Sequence, residues 1–400
     1  MSVMKYKDPT TGEIKKVGAP KVSTYTPFKP AGKSYLTFSS PNSFTLAVGD
    51  ATKHWDGLLE YFAADKTWTT WDGTTPLSSV DKDGEYVLYL RGTGNTKITG
   101  LGADGPTETY KWVLTGTDIA CVGNIENLLD YATVESGQHP TMADSCYYGM
   151  FMDCTSLTQV PALPATTLTV GCYYGMFAYC TSLAKAPDLP ATTLANSCYY
   201  AMFLGCISLT HAPALPATTL TAGCYGGMFA NCTSLTQAPA LPATTLVNDC
   251  YYGMFMDCTS LTKAPALPAT TLAERCYAMM FRGCTSLTQA PALPATTLAN
   301  ECYQVMFYGC TSLKLCPVKG GEYTIAYRIP SSGTGTTATD ALAEMFTNTG
   351  GLFAETPNIN TTYYLSSGNM IVRETEIATL NGYVGSMIDA AIGNAIGGSY

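Results

Sequence analysis

Charge is what this sequence has least of. Asp, Glu, Lys and Arg make up 13% of its 400 residues, against ~25% in ordinary globular chains. A surface so poor in charge must be built from Thr, Ser, Tyr, Asn and Gly, which suits hydrogen bonding and ring stacking more than electrostatic capture. Histidine is scarcer still. His54, His139 and His211 are the whole set, and none has a partner at motif spacing. No G-x-S-x-G, H-E-x-x-H or P-loop occurs, so no catalytic residue is assigned and the chain is read as not an enzyme. A glycosidase carboxylate pair acting on polysaccharide, hidden in the acidic β-domain, is the one enzymatic alternative. No C-x2-C spacing exists, which removes the usual signature of structural zinc; no metal and no cofactor are expected. No run approaches 18 apolar residues, so no membrane insertion is expected. The opening MSVMKYKDPTTGEIKKV has no apolar core of a secretory signal, which implies synthesis in a host cytoplasm. Basic patches interleaved with aromatics are missing too, so nucleic acid is not an expected partner.

The charge that exists is unevenly placed. Residues 1–34 carry seven lysines against Asp8 and Glu13, a net +5, which leaves −14 on the remainder of a chain whose net charge is −9. A basic arm on an acidic body reads as a docking segment, with Lys5, Lys7, Lys15 and Lys16 as its candidate contacts. The competing reading is a solvated terminus. Pro9, Pro20, Pro27 and Pro30 keep the arm extended, and TTGEIKKVG suits a small hairpin.

What the chain has in abundance is one block of 26 residues, repeated seven times between Cys146 and Cys316. The copy CYYGMFMDCTSLTKAPALPATTLAER runs from Cys250 to Arg275. A unit of this length cannot bury its own apolar face and must stack on its neighbours. The fold class expected is α+β: a leucine-rich-repeat solenoid of about seven 26-residue coils, an N-terminal small β-sandwich and an extended N-terminal arm. At a strand spacing of ~4.8 Å the coils would extend roughly 30–35 Å.

Sixteen cysteines first suggest disulfides, but Cys121 and Cys316 only flank the array and the rest recur as Cys-x7-Cys, from Cys146/Cys154 to Cys302/Cys310. Cytosolic thiols stay reduced and pack as small apolar groups, so buried thiols are expected. Within CYYGMFAYC, Cys172, Tyr173, Met176, Phe177 and Cys180 fall on one face of a short helix. In TSLTxAPALPATTL a strand of three or four residues should end at the first proline, which lacks an N–H. Leu157, Val160 and Leu163 would face inward, and the Thr166/Thr167 slots could stack hydroxyls.

The boundaries read from composition are 1–34 for the arm, 35–120 for the β-sandwich, 121–365 for the capped repeat array and 366–400 for an amphipathic helix. Short β-branched and aromatic runs separated by turn residues mark the second of these. Trp55, Trp68, Trp71 and Trp112 lie there, more as core than as a sugar platform. GNIENLLDYA is helix-like, and ALAEMFTNTGG is an eroded copy within the C-terminal cap. The last helix has Ile377, Leu380, Val384, Met387 and Ala391 at heptad spacing. It is open to two readings, packing on the body or joining subunits of a homo-oligomer.

Where the core repeats, the slots that vary face solvent. One row is Gln159, Lys185, His211, Gln237, Lys263 and Gln289, a polar stripe for ligand if the strands line a concave face. A second is Tyr148, Tyr174, Tyr200 and Tyr252, replaced elsewhere by Gly226, Ala278 and Gln304; such a row suits stacking on sugars. Both rows are equally consistent with plain solvated spacer surface.

The residues MFxxCTSLTxAPxLPATTLAxxCYxxMF, over roughly 146–316, resemble the leucine-rich repeats of the BspA type. This copy is longer than is usual there and carries an additional proline. The resemblance implies surface and adhesion proteins of gut bacteria, and similar arrays in virion proteins of Bacteroides phages. KYKDPTTGEIKKV is similar to the short openings of phage fibre proteins. Together these imply a virion protein, a head or tail fibre or decoration on the particle exterior. Its arm would hold other virion proteins and its array would meet a host-surface glycan or protein. A bacterial cell-surface adhesin is the alternative.

Overall fold

The computed structural model describes residues 28–33, 35–49, 54–99 and 111–368, and the backbone of four short strand segments, Lys5–Lys7, Ile14–Lys16, Leu101–Gly102 and Gly105–Thr109. The helix expected over 366–400 lies, beyond Gly368, outside the described residues. Strand and turn dominate, with one α-helix, Asn127–Glu135, and no closed barrel among the described residues.

In the arm, Lys5–Lys7 pairs antiparallel with Ile14–Lys16, with Lys5 opposite Lys16 and Tyr6 opposite Lys15. The hairpin is therefore wider than TTGEIKKVG alone, and all four candidate docking lysines lie on its two strands.

Two sheets follow. One joins Trp112–Thr115, Thr45–Val48 and Leu77–Ser78. The other runs in the order Ile119–Val122, Leu36–Ser40, Glu85–Thr93, Leu58–Phe62, Trp68–Trp71. Alternation puts Leu36, Phe38, Leu46 and Leu59 into the core with no exposed surface. TKIT, read as a strand from its β-branched residues, instead forms bends whose N–H groups serve the first repeat copy: Ile98 and Thr99 both donate to the Cys146 carbonyl. Trp55, Trp71 and Trp112 are buried, with Trp71 and Trp112 edge to face at 5.9 Å. Trp68 is half-buried beneath the Arg91 guanidinium.

The second sheet continues into the repeats, because Ile119–Val122 pairs in parallel with Leu157–Gln159 of the first copy. From there each copy lies against the next. Phe151, Phe177, Phe203, Phe229, Phe255, Phe281, Phe307 and Phe346 form one file of near-parallel rings, 5.5–5.8 Å between centroids. Tyr147, Tyr173, Tyr199, Tyr225, Tyr251, Tyr277 and Tyr303 form a second file at 5.6–5.9 Å. Stacked rings, Met and Cys thus fill the core, the tyrosine hydroxyls and the thiols being its side-chain polar atoms.

The short helix expected in each copy is absent. Residues 145–154 instead form a ribbon of consecutive turns, with left-handed residues every fourth position: Ser145, Gly149 and Asp153 in the first copy. The Gly149 slot is Gly again at 175, 227 and 253, where φ > 0 costs a glycine little. The N–H groups divide strictly. Tyr147, Gly149, Phe151 and Asp153 donate forward to Cys172, Tyr174, Met176 and Ala178, while Tyr148, Met150, Met152 and Cys154 donate three residues back within their own copy. Every amide from Tyr147 to Cys154 is satisfied, half of them by the neighbour, so the ribbon is stable only in the stack. A four-residue turn and an α-helix both bring i and i+4 together, and a helix slips only ~80° over eight residues. The burial pattern was therefore right while the backbone was not.

The strand half is short. The first copy has a three-residue strand, Leu157–Gln159, and the last has Lys314–Cys316; copies between them keep isolated parallel bridges before the proline. At the Thr166/Thr167 slots main-chain bonds replace the expected hydroxyl ladder, with Leu168 N–H to Thr193 O and Thr192 N–H to Thr166 O.

Both ends are covered. Trp112 stands where a preceding copy's Phe would, donating its N–H to Met150 O at 2.7 Å and accepting the Cys154 thiol. At the far end the eroded copy packs Met345 and Phe346 into the file, and its Glu344 and Phe346 N–H groups go to Thr356 Oγ1 and Glu355 O. Such caps meet the requirement that terminal units of a stack be atypical.

Candidate functional site

All sixteen cysteines are free and buried. Burial pushes the Cys224 thiol up to about 11 and those of Cys154, Cys172, Cys206 and Cys310 up to about 12. Neutral thiols in an apolar core are weak nucleophiles and poor metal ligands, so the cysteines serve packing. Their S–H groups reach back between copies, as in Cys206 to Phe177 O at 3.1 Å and Cys232 to Phe203 O at 3.2 Å. Among the described residues no cluster of His, Cys, Asp or Glu could hold a metal ion.

The polar row occupies one line. Gln159, Lys185, His211, Gln237, Lys263 and Gln289 are all exposed. Lys185 bridges His211, His211 bridges Gln237, and Lys263 bridges Gln289, each in parallel register; Gln159 pairs instead with Ala120. The proline two residues beyond each slot interrupts the pairing, and the side chains stand at the rim of a floor of Ala, Pro and Leu. Two hollows open along this floor. The one between Val160–Pro164 and Lys185–Pro190 has about 870 Å³, and the one between Lys263–Pro268 and Gln289–Pro294 about 440 Å³.

The tyrosine row differs from expectation. Tyr148, Tyr174 and Tyr200 are stacked face to face, 4.5 and 4.9 Å apart. Tyr148 is only 6% exposed, and Tyr174, Tyr200 and Tyr252 are half-buried. These rings spend their faces on one another, so the row is not an open sugar platform along its length. Burial raises the hydroxyls of Tyr148 and Tyr200, and burial with the nearby Tyr148 pushes Tyr174 up to about 12. The hydroxyls therefore remain neutral donors.

The stack breaks at Gly226. A hollow of about 440 Å³ opens there between Tyr200 and Tyr252, with Asn196, Ser197, Asp249 and Arg275 around it. Arg275 forms an ion pair with Asp249, Nη2 donating to Oδ2 at 3.1 Å while Nε lies 2.9 Å from Oδ1 without a hydrogen bond. None of these four polar residues was singled out from the sequence. The signal was a third variable slot, the residue before each first Cys: Ser145, Gly171, Ser197, Gly223, Asp249, Arg275 and Glu301. All seven take positive φ.

The histidines divide as surface and support. His211 is exposed, with Nδ1 2.9 Å from Thr210 Oγ1. His139 Nδ1 lies 2.9 Å from both oxygens of Glu126, a carboxylate almost wholly buried beside the single helix. No helix among the described residues is long and apolar enough to cross a membrane. The chain matches no family model, no curated protein and no solved structure.

Proposed function

We propose that the chain is a non-enzymatic virion protein of a tailed phage, a head or tail fibre or decoration. In this reading its stacked copies are a leucine-rich-repeat solenoid of the BspA type that presents an adhesive face to a host-surface glycan or protein. The observation that carries the adhesive role is the row of six exposed polar side chains, of which Lys185, His211 and Gln237, and Lys263 and Gln289, pair in parallel register above an apolar floor. A rigid stack fixes the spacing of those groups, so that a ligand meets them with little ordering cost. Scarce charge on the body favours recognition by hydrogen bonds and apolar contact. The basic hairpin of the arm, with Lys5, Lys7, Lys15 and Lys16, supplies the contact to other virion proteins, whose acidic surfaces would complement it.

Mass spectrometry of purified tailed-phage particles from a culture producing the chain tests this. Peptides from residues 35–365 in the particles are the expected result. Their confinement to the bacterial envelope fraction would favour the cell-surface adhesin instead.

A further inference from the structure

The tyrosine stack is interrupted at Gly226, where no ring stands between Tyr200 and Tyr252. Tyr200 covers its inner face with Tyr174 at 4.9 Å and leans its other side over Gly226, where an added Cβ would come within 2.6 Å of Cε2. Tyr252 leans the opposite way, its hydroxyl reaching Met279 Sδ at 3.2 Å. A cavity of about 440 Å³, lined by both rings with Ala222 and Gly223, lies beside this break and falls within the about 300–1,000 Å³ of small-ligand sites. On its rim stand the Asp249–Arg275 ion pair, joined by one hydrogen bond, and Asn196, whose amide oxygen accepts from Ala222 N–H at 3.2 Å and leaves its NH2 to donate.

Combined apolar ring faces and planar polar groups match a pyranose, which has an apolar C–H face and a rim of hydroxyls. The charge balance decides which kind. Asp249, Glu274 and Glu301 all act on the single Arg275, so the surroundings are net negative and oppose a carboxylate or phosphate. We infer that the Gly226 break is a binding site for one neutral pyranose unit, held between Tyr200 and Tyr252 and hydrogen-bonded by Asp249, Arg275 and Asn196. This rests on the adhesive reading above, and gives it a ligand class at a place outside the polar row.

An array of immobilised neutral, sialylated and uronic-acid glycans, probed with the full chain, tests the inference. Neutral glycans should be retained at least ten-fold above acidic ones. Gly226→Tyr, whose added Cβ must displace the Tyr200 ring that lines the cavity, should lower that retention at least ten-fold, at the cost of a lower thermal midpoint. Tyr252→Ala, at a half-buried ring outside the main core files, should lower it similarly even where Gly226→Tyr does not fold. Absence of neutral binding, preference for acidic glycans, or neutral binding that survives Tyr252→Ala would overturn the site. The adhesive reading is separable, because Lys185→Ala/His211→Ala/Lys263→Ala leaves the cavity intact. Loss of host-cell binding in that triple variant, alongside a failed Gly226 site, would leave adhesion standing without this site.

Discussion

The Cys180 thiol donates to the Phe151 carbonyl oxygen at 3.1 Å, reaching from its own copy back into the one before. The same step recurs from Cys258 to Phe229 and from Cys310 to Phe281, each at 3.0 Å. The cysteines are thus linked to the stacking of copies through a hydrogen bond and not through a covalent bridge. Titration with a thiol reagent in denaturant, without reductant, should find close to sixteen free thiols, and the native protein almost none. A denatured value near zero would mean disulfides.

Those thiols also make the fold sensitive to alkali. An unfolded thiol titrates near 8.5, whereas burial holds Cys224 near 11 and Cys206 near 12. The folded state keeps protons that the unfolded chain releases, so stability is full below about pH 8.5 and falls as pH rises toward 12. Each thiol contributes a loss of about 1.4 kcal/mol per pH unit in that window. The thermal midpoint should decline steeply above about pH 9, and less steeply in Cys206→Ala/Cys232→Ala. Equal slopes would assign the alkaline loss to other groups.

Val305 occupies the slot that is glycine in four copies, at φ 57°. A β-branched residue there carries a left-handed penalty of about 1–2 kcal/mol. Val305→Gly should raise stability by about 1 kcal/mol after glycine's own unfolded-state entropy is counted, and Gly227→Val should lower it. Urea unfolding curves at constant slope would measure both.

Phe229 touches Phe203 and Phe255 at 5.7 and 5.8 Å and has no exposed surface. Phe229→Ala opens a cavity at both of its interfaces and should cost about 3–5 kcal/mol. Tyr225 lies beside it in the second file with a buried hydroxyl that has no hydrogen-bond partner, so Tyr225→Phe should be neutral or stabilising by about 1–3 kcal/mol. Calorimetric midpoints moving the opposite way for Tyr225→Phe would reveal a partner for that hydroxyl.

Much of the stack was legible in the sequence. Period, buried face and reduced cysteines follow from the spacing of Cys, Tyr, Met-Phe and Leu alone. The backbone of the CYYGMF half was not, because burial at i and i+4 cannot separate a helix from a four-residue turn. Gly171 with Gly175, and Gly223 with Gly227, held that distinction: glycine at both i and i+4 favours repeated left-handed residues over a helix. Tyr148, Tyr174 and Tyr200 were identified as a row, yet their mutual stacking depends on side-chain directions that periodicity does not specify. Asp249 and Arg275 meet only because they sit one period apart on adjacent copies. A pair 26 residues apart is invisible until the copies are laid side by side.

The proposed adhesive role of the polar row is most directly tested by host-cell binding of the fluorescently labelled full chain, measured by flow cytometry against Lys185→Ala/His211→Ala/Lys263→Ala. All three substitutions are at exposed positions, so the thermal midpoint should stay within a few degrees. The row predicts at least a ten-fold loss of binding. Binding indistinguishable from the unsubstituted chain would contradict it.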